Sequence, residues 1–145
     1  MISAQQNKQE EKELLLVFID LQGQRTMTFN DFDKGFDLFI NKEATEQEYI
    51  QLVDICTKTF SSISYQIKEI LKMHQFELIK QIQQLEKTKL EKVVKYQSLM
   101  TETVYGQVDY SQDISNVKKE LEELKMEINE KIQDLHCILA DEYSD

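Results

Sequence analysis

Apolar side chains return every three or four residues along most of the chain, the spacing that lays a stripe on one face of an α-helix. Between Thr45 and Met100 the stripe runs through Tyr49, Val53, Cys56, Phe60, Ile63, Ile67 and Ile70. From Leu71 it shifts by one residue and continues through Leu78, Ile82, Leu85, Val93, Tyr96 and Met100. No Pro or Gly falls in this stretch, so nothing forces the backbone out of a helix. The shift marks either a stutter in one long helix or a break between two. A boundary there gives a second helix over 45–72 and a third over 75–102. Thr45 followed by Glu48 is a capping box, which starts the second helix after a turn at Asn41–Ala44 and returns it antiparallel to the first.

That first helix is read over 10–41, where Glu10, Glu11 and Glu13 suit the positive end of the helix dipole. Its stripe is Leu14, Phe18, Leu21, Arg25, Thr28 or Phe29, Phe32, Phe36 and Phe39. Gly23 and Gly35 lie inside the helix at a cost of about 1 kcal/mol each relative to Ala, so each points to a close helix approach or a mild bend. Asn30 ahead of Asp31 and Asp33 offers an alternative, a fresh cap that splits the helix near Thr28–Asn30. The polar residues 1–9 are expected to be a flexible start. Periodicity stops at Thr103–Asp113, where Gly106 sits between two tyrosines, and this reads as a loop. A fourth helix over 111–140 follows Ile114, Val117, Leu121, Leu124, Ile128, Ile132, Leu135 and Ile138, and 141–145 form an acidic tail. The expected fold is all-α, an elongated antiparallel helical bundle or coiled coil of three to four long helices.

Composition agrees, since three Gly, no Pro and 30% charged residues in 145 leave too few turn residues for a sheet protein. No run approaches the roughly 18 apolar residues of a membrane span. The most apolar stretch, Leu14–Ile19, is not preceded by the basic start that a signal peptide requires, so a soluble intracellular protein is expected. In that setting Cys56 and Cys137 read as buried thiols rather than a disulfide. The net charge of −10 is unevenly spread: residues 1–48 carry −5, residues 49–103 carry +2 and residues 104–145 carry −7. An acidic, a mildly basic and an acidic segment attract one another when folded back side by side. Direct nucleic-acid binding is disfavoured, because phosphate contacts need a basic stripe.

The one basic surface the sequence offers is on the third helix, with Lys80, Lys87, Lys89, Lys92 and Lys95. Such a run reads first as a solvated face or one paired with the acidic helices. Arg25, a charge within an apolar seam, reads as paired with a carboxylate or placed at the rim. Phosphate-binding loops, paired zinc ligands and nucleophile elbows are absent. His74 and His136 have no partners at metal-ligand spacing, and His74 reads as a partly buried structural residue. No catalytic residue, cofactor, metal or small-molecule substrate is therefore expected.

Several segments, in order, resemble the required-for-excision B-type DNA-repair family of small helical eukaryotic proteins. Leu21-Gln22-x-x-Arg25 precedes Phe29, Phe32 and Asp33-Lys34-Gly35-Phe36; Tyr49, Thr57, Phe60 and Ser64 follow; then comes Gln83-Gln84-Leu85-Glu86-Lys87-Thr88-Lys89-Leu90, with Leu99-Met100 after it. The resemblance extends over about 14–140. It implies a helical accessory protein of the nucleus that acts through other helical proteins in a larger complex, with no catalytic residues to carry over. Gln22, Arg25 and Gly35 are candidate partner-binding residues, because a polar pair and a glycine inside an apolar stripe are hard to explain by packing alone. Lys87, Lys89, Lys92 and Lys95 join them as the basic face. Long apolar stripes in a chain too thin to bury them all raise an alternative, a structural subunit of a large cytoskeletal assembly such as a ciliary axoneme.

Overall fold

The computed structural model describes residues 3–143, which form four helices and no strand: α1 (Ala4–Ile40), α2 (Glu46–Met73), α3 (Glu77–Val104) and α4 (Ser111–Glu142). Side-chain contacts fix their directions. Phe29 meets Phe60 and Phe39 stacks on Tyr49, so α2 runs back along α1. Arg25 meets Glu86 and Phe36 meets Tyr96, so α3 runs parallel to α1. Lys92 meets Glu120 and Lys131 meets Gln81, so α4 runs back along α3. The result is two antiparallel hairpins, α1/α2 and α3/α4, tightly packed within themselves and more loosely joined along the seams between them.

Two apolar clusters hold the hairpins together, and each draws on all four helices. One is largely aliphatic, built from Leu15, Phe18 and Leu21, then Ile63, Ile67 and Ile70, then Ile79 and Ile82, closed by Leu135. The other is richer in aromatic side chains: Phe29 and Phe32, Cys56 and Phe60, Val93, Val117 and Leu121. Full burial of one such side chain stabilises by roughly 1.5–3 kcal/mol. All five phenylalanines from Phe18 to Phe39 are covered inside the molecule. On α4 half of the stripe is buried, at Val117, Leu121, Ile128 and Leu135, and Ile114, Leu124, Ile132 and Ile138 are partly covered.

Connections follow local chemistry. The Thr45 hydroxyl accepts from the Glu48 N–H and the Glu48 carboxylate accepts from the Thr45 N–H, each at 3.1 Å, as the capping box requires. In the α3–α4 loop a Cβ on Gly106 would lie 2.7 Å from the Glu102 carbonyl oxygen, so only glycine fits. The Tyr105 hydroxyl donates to the Phe39 carbonyl at 2.9 Å and ties this loop to the end of α1.

Several expectations need correction. Helix α1 begins at Ala4 rather than Glu10, because Ser3 and Gln6 form a second capping box that closes the polar start into the helix; Met1 and Ile2 lie outside the described residues. It runs through Thr28–Asn30 without a split. The break between α2 and α3 is real despite the absence of Pro and Gly. His74 turns extended (φ −152°, ψ 126°), and its ring packs on Phe76 at 4.3 Å, which in turn packs on the aliphatic cluster. His74 is exposed, and its Nδ1 lies 3.5 Å from Glu11 Oε1, an acid partner that is remote in sequence. Cys56 is buried but Cys137 is exposed. Gly23 has open space around its Cα, so no helix approaches it. Of the expected acidic tail, Asp141 and Glu142 continue α4, and Ser144 and Asp145 lie outside the described residues.

Candidate functional site

Between the two apolar clusters the interior is charged. On α1 the aliphatic cluster ends at Leu21 and the second begins at Phe29; on α3 they are separated by the gap from Ile82 to Val93. Into that gap project Gln22, Arg25 and Glu86, exposed by only 5%, 4% and 3%. The Arg25 guanidinium donates from Nε and Nη2 to Gln22 Oε1 at 3.1 and 2.5 Å, and from Nη1 to Gln83 Oε1 at 2.5 Å. Glu86 Oε2 lies 2.9 Å from Arg25 Nε, and Oε1 lies 3.8 Å from Lys89 Nζ. The Nε hydrogen goes to Gln22 rather than to Glu86, and neither Glu86 oxygen accepts a hydrogen bond. Lys89, itself buried, holds its ammonium 3.9 Å from the centre of the Phe29 ring.

Electrostatically this is a costly arrangement. Removing a charge from water costs several kcal/mol, which the partner's attraction recovers only when geometry is good. Burial pushes the Arg25 guanidinium below its usual range, and Glu86 pulls it partly back. Burial likewise lowers the Lys89 ammonium against the opposing pull of Glu86. What the layer supplies is position: it joins α1 of one hairpin to α3 of the other at a single register.

The candidate residues therefore divide. Gln22 and Arg25 are buried, Arg25 with an edge on the α2/α3 groove, and the ionic layer explains why a polar pair interrupts the stripe. Gly35 faces α2, where an added Cβ would sit 1.8 Å from Leu52 Cδ2, so close helix approach accounts for it. The lysines do not make one basic face. Lys89 is interior and Lys92 pairs with Glu120 at 2.5 Å, which leaves Lys87 and Lys95 exposed. Glu86, although part of the quoted pattern, was missed as an interior group, and Gln97, which accepts from the Tyr49 hydroxyl, was missed with it. Both were findable: from Ile79 and Ile82, steps of three and four lead to Glu86, Lys89, Val93 and Gln97, the inward face of α3.

Of the grooves that open where the hairpins meet, two border this layer. One, of about 430 Å³ between α1, α3 and α4, has balanced charge, with Asp33, Asp37 and Glu122 facing Lys89, Lys118 and Lys125. Burial raises the Asp33 carboxyl, offset by Lys125 and Lys89. The other, of about 460 Å³, lies between α2 and α3 and exposes the edge of the ionic layer. Arg25, Gln83 and Glu86 reach it beside Phe60 and Ser64, and Lys68, Lys80 and Lys87 rim it. Among the described residues no group of three or more His, Cys, Asp or Glu is placed to hold a metal ion, and no helix is long and apolar enough to cross a membrane.

Fold and site together define an all-α protein of two helical hairpins clasped across an internal ionic layer. A family model described as DNA repair REX1-B matches residues 13–100, more than half of the chain, and the chain belongs to that DNA-repair-related family. The matched region takes in most of α1, all of α2 and most of α3 and stops before α4, short of the reach read from the sequence pattern. No curated protein and no solved structure matches the chain.

Proposed function

We propose that this chain is a non-enzymatic helical adaptor that serves DNA repair in the nucleus through contacts with other helical proteins. One observation carries the reading: the pattern residues Arg25, Phe60, Ser64, Gln83, Gln84 and Glu86, all within the family match, converge on the α2/α3 groove. Their chemistry there is support and display. The guanidinium is held by two glutamines and a carboxylate, and among the described residues lining the groove no nucleophile, base and orienting group are hydrogen-bonded together as covalent catalysis requires. Contact with nucleic acid is not part of this reading, since two of the four candidate lysines, Lys89 and Lys92, are engaged within the protein.

The alternative of a cytoskeletal subunit rested on apolar stripes left without cover, and here the stripes of all four helices are largely covered within the chain. Affinity capture of the tagged protein after mild cross-linking, before and after DNA damage, tests the proposal. Repair or chromatin proteins are the expected co-purifying set. Their absence under both conditions, with the tag imaged outside the nucleus, overturns it.

A further inference from the structure

We infer that the α2/α3 groove is the docking surface, and that its occupant is a partner helix with acidic flanks and an apolar centre carrying one amide or hydroxyl side chain. This rests on the adaptor reading above and specifies its partner. Each part of the description comes from a part of the groove. The floor is apolar, with Phe29, Phe60, Leu71 and Leu90 lining it. Along the rim stand Lys68, Lys80 and Lys87. Among the described residues none of the three is ion-paired, and Lys80 meets only the neutral amide of Gln75, at 2.8 Å. In a chain with 27 acidic and 17 basic residues, three unpaired lysines around one apolar trough are a local reversal of sign.

The third part is Glu86. It is 3% exposed, lines the groove, and has two oxygens that accept no hydrogen bond. Both oxygens are closed to solvent, so a donor reaches them only when Glu86 turns toward the groove as the partner binds, and a buried carboxylate with free acceptor capacity favours that turn. A neutral donor suits it, because Arg25 and Lys89 already balance its charge. From Lys80 to Leu90 the groove follows α3 for about 15 Å, three turns, which fits the helix-in-groove mode of recognition. A protein fits better than a nucleic acid. The apolar floor has no use for phosphates, and a chain of net charge −10 repels a polyanion beyond the reach of three lysines.

Site-specific photo-cross-linking in cells tests this on the full chain. A benzophenone amino acid is placed at Lys87 in the groove and, separately, at Met126 on α4, which is 64% exposed. Sequencing of the attached peptides should show, for Lys87, one partner segment that is helical, acid-flanked and apolar at its centre. The charge reversal Lys68→Glu with Lys80→Glu should cut that cross-link at least about tenfold. The pair Lys68→Arg and Lys80→Arg should retain it, with circular dichroism unchanged in both. Glu86→Gln, which keeps the shape but donates as well as accepts, should weaken capture with the lysines intact. Cross-links from Lys87 to nucleic acid, to a second copy of this chain, or to segments without acidic flanks overturn the inference. So does capture at Met126 alone, which leaves the adaptor reading standing, whereas silence at both positions counts against both.

Discussion

The ionic layer and the apolar clusters on either side of it occupy the same interior and do different work. In the clusters, Ile63, Ile67 and their neighbours gain from burial whatever their partners, since the hydrophobic effect has no direction. Slide α3 along α1 by one turn and much of that gain survives. In the layer it does not, because Arg25 has one position from which it reaches Gln22, Gln83 and Glu86 together. The clusters thus supply the stability, and the layer selects among stable packings, as a buried polar residue sets register in a coiled coil.

The contrast breaks most sharply at Glu86. Glu86→Ala leaves the Arg25 guanidinium buried without its counter-charge and should cost about 3–5 kcal/mol in urea unfolding. Replacing the pair together, Arg25→Met with Glu86→Leu, should recover most of that loss, while Lys89 keeps its place over the Phe29 ring. If the double variant is as unstable as the single one, the layer is a source of stability and the division of labour fails. On the other side, Ile67→Ala, at a site with 0% exposure, should cost about 2–5 kcal/mol. A cluster cavity has no such partner to remove, so no second truncation nearby should restore the loss.

The two regions also differed in how well the sequence disclosed them. Apolar periodicity found the clusters, because Ile63, Ile67 and Ile70 are buried where their spacing put them, and the Thr45–Glu48 capping box located the start of α2 to within a residue. It misread α3, because a stripe followed by apolarity alone takes Leu85 over Glu86 and rotates the helix by one residue. A charged side chain scores as surface unless its partners are known, and the nearer partner of Glu86, Arg25, lies on another helix 61 positions away. The Ser3–Gln6 box and the His74–Glu11 contact were lost for similar reasons, one hidden by its polar surroundings and the other by distance along the chain.

Within a hairpin the helices approach more closely than across the seams, and Gly35 measures how closely. Gly35→Ala places a methyl 1.8 Å from Leu52 Cδ2, so Leu52 must turn aside, and overpacking of this kind typically costs about 1–3 kcal/mol. Adding Leu52→Ala makes room and should return part of the loss. An equivalent small-to-large change at Ser64, which lines the α2/α3 groove, should cost less, because that seam is open. Equal costs at Gly35 and Ser64 would mean that the hairpins are no looser between than within.

The smallest effect is expected at a polar contact that, unlike the layer, sits near the surface at the end of the bundle. The Tyr143 hydroxyl donates to Glu11 Oε2 at 2.6 Å, joining α1 to the end of α4. Burial first, and then this bond to a carboxylate, push the hydroxyl up to about 12. An unfolded tyrosine ionises near pH 10, so between roughly 10 and 12 the folded chain keeps a proton that the unfolded chain has released. The folded state binds more protons in that window, and stability falls as pH rises through it; the contribution is complete below about 10 and gone above about 12. Tyr143→Phe should therefore cost about 0.5–1.5 kcal/mol at neutral pH, and the gap between variant and wild type should close as pH rises from 10 to 12. Urea melts of both proteins across that range check it. A gap that stays constant to pH 12 would show that packing of the ring, rather than its hydroxyl, fastens α4 to α1, and that the end of the bundle is held as the clusters are.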